Sequence, residues 1–215
     1  MKEFSLDRVT ASAAIFDFEK LYWLNRHYIK HTPTFHLVFL AVRYFSDAEF
    51  FGEEAKAKLK EVKAGLGVEK PEFDWLAKII ELFVPSVDRI DQLPERAALI
   101  FAYDAKAALA APDNTEVLGW EKTRAVVQAF AKRVPEGAMT VEEFKSIVNE
   151  VKAETGAKGK ELYHPIRLAI TGSHSGPEFD KLIPILEEGS RLPLPKHVKS
   201  VRERVEEFLA VLSSK

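Results

Sequence analysis

Prolines, glycines and helix-capping residues cut this chain into segments that repeat apolar residues every three to four positions. That punctuation leaves room for helices and little else. Asp17 suits an N-cap for a helix with Leu21, Leu24, Tyr28 and Ile29 on one stripe. A second apolar run, Phe35 to Phe45, follows Pro33. Ser46 and Glu49 have capping-box spacing and predict a further helix ending near Gly65, with Gly67 close behind. Pro71 suits the first turn of a helix carrying Phe73, Leu76, Ile79, Ile80 and Phe83, which Pro85 stops near Val84. Pro94 predicts a helix running to Pro112, and the pattern from Asn114 to Arg133 predicts another, closed by Pro135. Thr140 and Glu143 form a second capping box, for a helix ending at Gly156. Val198, Val201, Val205, Phe208 and Leu212 mark the last helix. With no period-2 run and no Asn-Gly turn, the expected class is all-α.

The 215 residues are 47% hydrophobic and 30% charged, a globular composition. Such a length buries a core without staples. With no cysteine there is no disulfide, thiolate metal site or cysteine nucleophile. A net charge of −2 excludes a histone-like nucleic-acid binder but not a local basic face. The opening residues lack an apolar signal core, and no stretch is apolar enough to span a bilayer, so a cytoplasmic protein without a membrane partner is expected.

Breaks at His31-Thr-Pro33 and at Ala111-Pro-Asp-Asn114 divide the chain into 1–32, 33–112 and 113–215. Residues 36–100 hold nine Lys/Arg against twelve Asp/Glu, giving −3, whereas 156–202 hold eight against five, giving +3. The last unit is the better candidate for an anionic partner.

Several constellations have ordinary alternatives. His27 and His31, with His36 nearby, have a helical spacing that can face zinc, or they are surface histidines at a helix end. Ser173-His174-Ser175 places a base beside hydroxyls, yet lacks a nucleophile elbow and reads as a polar turn. Gly156-Ala-Lys-Gly159-Lys160 lacks phosphate-loop spacing and leaves a basic turn able to touch a phosphate backbone through Lys158 and Lys160. The glutamate pairs 142–143, 187–188 and 206–207 read as solvated faces, and Trp23, Trp75 and Trp120 as core.

Residues 158–191 stand apart. Pro165 suits the first turn of a short helix ending at Gly172, and Gly176-Pro177 starts another with Glu178 and Asp180 in its first turn. Arg167 would then lie near the polar turn, with Tyr163, His164 and Phe179 as flat or apolar surfaces. Arginine, aromatics and exposed backbone groups together hold unstacked bases. The alternative is an ordinary hairpin with Arg167 in a surface ion pair.

Gly159-Lys160, Leu162-Tyr163-His164-Pro165-Ile166-Arg167-Leu168-Ala169-Ile170-Thr171-Gly172 and Gly176-Pro177 resemble the C-terminal motif of bacterial glutamyl-tRNA synthetases. Leu6-Asp7-Arg8-Val9, Phe16-Asp17 and Lys20-Leu21-x-Trp23-Leu24-Asn25-x-x-Tyr28-Ile29 resemble the same family just beyond its second ATP-site motif. The resemblance implies a stem-contact segment followed by two helical anticodon-binding domains, at 33–112 and 113–215. It implies tRNA for glutamate as the partner of a monomer, and no role for DNA. The family's catalytic half, which uses ATP and magnesium, has no counterpart here, so neither catalytic residue nor cofactor is expected of this chain. A free-standing tRNA-binding relative and an all-α protein-interaction module are the alternatives. Carried over by motif position, Arg167 reads the first anticodon base and His164 lies against the loop. Gly176, Pro177 and Phe179 enclose the middle base. Arg89 is the nearest match for a reader of the third.

Overall fold

The computed structural model describes residues 17–50 and 71–214. They form eleven α-helices joined by short 3-10 turns, with no strand among them. The helices are α1 (Phe18–His31), α2 (Thr34–Asp47), α3 (Pro71–Phe83), α4 (Leu93–Phe101), α5 (Ala105–Ala110), α6 (Thr115–Leu118), α7 (Thr123–Ala131), α8 (Val141–Thr155), α9 (Lys160–Thr171), α10 (Phe179–Gly189) and α11 (Val201–Ser213). The fold is all-α, as the punctuation predicts.

Local chemistry sets most of these ends. Asp17 accepts the Lys20 N–H at 3.0 Å and caps α1. Thr140 and Glu143 exchange bonds of 3.2 and 2.8 Å at the start of α8, which Gly156 closes at φ 65°. Ser200 and Glu203 form the same reciprocal box on α11.

The core runs continuously through the described residues. On one side α2, α3 and α4 enclose Phe45, Phe50, Trp75 and Phe101, with Phe50 and Phe101 stacked at 4.3 Å. On the other, α11 lies against α5, α7 and α9, with Val201, Val205 and Phe208 turned inward. The sides meet where α3 crosses α10. There the indole N–H of fully buried Trp75 donates to the Ile185 carbonyl at 2.7 Å, against the face of Gly189.

Five expectations change. Ser46 begins no helix: α2 continues through it, because the buried stripe of Leu37, Val38, Ala41, Val42 and Phe45 extends that far. Glu49 then takes φ 61°, and the Glu49 and Phe50 N–H groups bond back to Ser46 and Phe45, a Schellman ending. The helix expected toward Gly65 falls outside the described residues, as do Leu6 to Val9 and Phe16 of the family-like opening.

The single helix expected from Pro94 breaks at Ala102 to Asp104, where the Asp104 carboxylate caps α5 through the Lys106 and Ala107 N–H groups. The helix expected from Asn114 to Arg133 likewise splits around Gly119 into α6 and α7. Pro165 lies inside α9 rather than at its start, since Gly159 and Lys160 begin the helix a turn earlier. The α1 stripe is mostly uncovered: of its residues only Ile29 is buried, while Tyr28 is 64% and Trp23 58% exposed. What attaches α1 is Ile29, the Arg26–Asp88 ion pair of 3.0 Å and contact with Val84–Ser86.

Candidate nucleic-acid interface

The basic turn leads into the first residue of α9 and the 172–178 turn follows its last, so the α9 surface links the two. Lys158 and Lys160 are exposed just before and at its first residue. Arg167 follows on α9, where it is half-buried. Its guanidinium carbon stands 4.2 Å from the centroid of buried Phe179, and its Nη1 donates to the Pro177 carbonyl. No carboxylate pairs with Arg167 among the described residues, so the ion-pair alternative finds no partner there. Nε and Nη2 are left without a hydrogen-bond partner there, and they form the edge that can offer two parallel donors. Burial alone pushes this guanidinium below its ordinary value, yet it stays charged at neutral pH.

The turn needs glycine twice. Gly172 ends α9 at φ 79°, and Gly176 takes φ 154° beside the guanidinium, 3.7 Å from Nη1 to where a Cβ would stand. Thr171 braces the turn, its hydroxyl 2.9 Å from the carbonyls of Arg167 and Ser173.

His164 does not stand alone. Its ring lies between Trp120, at 5.7 Å, and His174, at 5.6 Å. Burial first, then the charges of His174, Lys160 and Arg167, hold its pKa below the ordinary histidine value. Trp120 is therefore only half-buried and belongs to this ring array, while Trp23 is exposed on α1 and only Trp75 is fully buried.

Arg89 lies elsewhere. It precedes a 3-10 turn, Ile90–Gln92, that packs against α2, and its Nε and Nη2 grip both Asp91 oxygens at 2.9 and 2.8 Å. That bidentate pair raises the Arg89 pKa and lowers that of Asp91. The structure thus assembles Arg167, Gly176, Pro177 and Phe179, with His164 on the same helix as Arg167, sets Lys158 and Lys160 at the other end of that helix, and leaves Arg89 apart.

The rings of His27 and His31 are tilted by 35° with centroids 4.3 Å apart, and His31 Nδ1 donates to the His27 carbonyl at 2.6 Å. No group of three potential metal ligands occurs among the described residues. The Ser173 and Ser175 hydroxyls face each other at 3.5 Å, whereas His174 turns to Asn114, so these residues form no nucleophile–base pair.

Two supporting residues escaped sequence reasoning. Arg204 is fully buried, donating to the carbonyls of Leu99, Ile100, Ile170 and Lys199 with its guanidinium carbon 4.9 Å from the Tyr103 centroid. It satisfies the last carbonyls of α4 and α9 together and so fixes where the turn begins. Its signal was an arginine set within the apolar stripe of Val201, Val205 and Phe208. Asn114 is the other. Nearly fully buried, it joins the end of α5, the end of α9 and His174. Its capping-residue appearance in sequence concealed that role.

The family model described as an anticodon binding domain matches residues 42–190, well over half the chain and all of this surface. The chain belongs to the anticodon-binding-domain family. Similar curated proteins include glutamate–tRNA ligase 1 of Caldicellulosiruptor saccharolyticus, 32% identical over 188 residues, covering 86% of this chain and 36% of the relative. The glutamate–tRNA ligase of Desulforamulus reducens is 30% identical over 186 residues, with the same two coverages. The chain therefore spans little more than a third of these relatives' length. Among solved structures, a glutamate tRNA ligase from Elizabethkingia meningosepticum matches with a TM-score of 0.62 over 98% of this chain and 36% of that one. At 17% identity this last likeness is one of fold alone.

Proposed function

We propose that this chain is the anticodon-recognising part of a glutamate–tRNA ligase and binds the anticodon loop of the tRNA for glutamate on the α9–α10 surface. The observation that carries the reading is Arg167. A charged guanidinium with no carboxylate partner among the described residues lies beside Phe179 at a glycine-bearing turn, inside the stretch that the anticodon-binding family model matches. Arg167 reads the first anticodon base through Nε and Nη2. His164 lies against the loop, and Gly176, Pro177 and Phe179 enclose the middle base. Lys158 and Lys160 contact phosphates, which position RNA without reading it. Arg89 reads the third base only if RNA displaces Asp91. The parent enzyme supplies ATP and magnesium chemistry outside this chain, which works as a monomer in the cytoplasm. Within it, 1–32 is the stem-contact segment, and 33–112 and 113–215 are the two anticodon-binding domains.

Calorimetry tests this with the glutamate tRNA anticodon stem-loop and a stem-loop altered at the first anticodon base, at two salt concentrations. Arg167→Ala should erase about 1–3 kcal/mol of preference between them. Lys158→Ala and Lys160→Ala should weaken both RNAs alike and reduce the salt dependence. Equal losses for both RNAs with Arg167→Ala would make Arg167 a phosphate contact.

A further inference from the structure

The Asn114 amide has one orientation that satisfies its surroundings. On one side it faces two backbone carbonyls, Ala108 and Gly172, each 2.9 Å away, and only the NH2 group can donate to both. Its oxygen therefore faces the other side, where the His174 backbone N–H and the His174 Nδ1 each stand at 3.3 Å. An amide oxygen cannot donate, so the Nδ1 bond exists only when Nδ1 carries the proton. In neutral His174 that leaves Nε2 as a bare acceptor. It has no hydrogen-bond partner among the described residues, on a side chain that is partly exposed. The ring also stacks on His164 with centroids 5.6 Å apart, within the turn that follows the helix carrying Arg167.

On a surface that presents the donors of Arg167, Lys158 and Lys160, His174 adds an uncharged acceptor of fixed position. RNA supplies the complement to each: phosphates and base carbonyls for the donors, 2′-hydroxyls and exocyclic amines for an acceptor. Building on the RNA-binding role proposed above, we propose that His174 Nε2 accepts a hydrogen bond from an O–H or N–H of an unstacked loop nucleotide, with Asn114 as the positioning residue that sets the tautomer. The ligand class is single-stranded RNA, and the donor is either a ribose 2′-hydroxyl or a base amino group.

The free protein gives the first readout. Nitrogen NMR of His174 near pH 8 should show the Nδ1–H tautomer. Asn114→Leu should return the ring to the usual Nε2–H form. A wild-type Nε2–H signal overturns the proposal before any RNA is added.

The second readout is calorimetry with the glutamate tRNA anticodon stem-loop. His174→Asn keeps a donor for Asn114 where Nδ1 stood but has nothing at Nε2, so the turn persists and affinity should fall roughly three- to tenfold, the scale of one neutral hydrogen bond. His174→Ala, which also loses the Asn114 bond, should fall at least as far. Stem-loops carrying a single 2′-deoxy sugar, or a base without its amino group, identify the donor. One such RNA should lose affinity for wild type and none for His174→Asn. Unchanged affinity in His174→Asn, or no RNA whose penalty vanishes in it, overturns the proposal while the anticodon reading stands. Failure of wild type to bind the stem-loop overturns both, and the NMR result then separates a correct tautomer from an incorrect use for it.

Discussion

Replacing Arg204 with methionine tests the joint that holds the candidate surface. The guanidinium is completely buried, and burial pushes its pKa down to about 10, so it remains charged at neutral pH. It donates to four carbonyls, those of Leu99, Ile100, Ile170 and Lys199, at distances of 2.5–3.0 Å. Leu99, Ile100 and Ile170 stand in the last turns of α4 and α9, where the helical ladder has run out, and Lys199 lies just before α11 begins. Methionine fills similar volume and bonds to none of them. Each buried acceptor left bare costs about 1–3 kcal/mol. Removing the desolvated charge returns part of this, as replacement of buried charges by apolar residues does elsewhere. The expected net loss is about 3–5 kcal/mol, a large share of a typical domain's stability. Urea unfolding followed by circular dichroism measures it, and Arg204→Lys should fall between, since one ammonium has fewer donors and a shorter reach. The loss should be regional as well. Amide exchange should quicken first around Ala102 to Asp104 and Gly172 to Ser175, the segments whose preceding carbonyls are released. An Arg204→Met protein as stable as wild type, with unchanged exchange at both segments, would mean that Arg204 does not hold this joint.

Gly189→Ala should destabilise the α3–α10 crossing by about 1–3 kcal/mol, because its Cβ would stand 2.4 Å from Cζ2 of buried Trp75. A rise in urea midpoint, as helix propensity alone would give, counts against that packing. Acid should remove stability in two steps. His164 has a folded pKa below its ordinary 6.5, so the unfolded chain binds that proton first and stability falls as pH drops from about 6.5 through the depressed value. Glu143, which Thr140 hydrogen bonds hold below its ordinary 4.5, contributes stability present above 4.5 and lost as pH falls through its folded value. Urea midpoints between pH 7.5 and 3.5 should therefore show an upper step that His164→Gln abolishes and a lower one that Thr140→Ala reduces. Persistence of the upper step in His164→Gln rules out that assignment.

What the sequence determined by itself was whatever local chemistry decides. The all-α class, the Asp17 cap, the Thr140 box and the glycine ends at 156 and 172 follow from hydrogen bonds spanning four residues or fewer, and such bonds are written in residue order. The motif around Arg167 was legible for the same reason, since Arg167, Gly172, Gly176 and Phe179 lie within thirteen consecutive positions. Tertiary structure decided where distant groups compete for the same backbone. Ser46 and Glu49 could have opened a helix, but a buried stripe beginning at Leu37 carried α2 through Ser46 and left Glu49 to end it. The break at Tyr103 is compensated from the far end of the chain, by Arg204. Asn114 carries every signal of a helix cap, yet it spends its amide on Ala108, Gly172 and His174, the last sixty residues away. Burial makes those long-range bonds worth more than the local alternatives, because a buried carbonyl or amide left without a partner costs more than a surface cap returns.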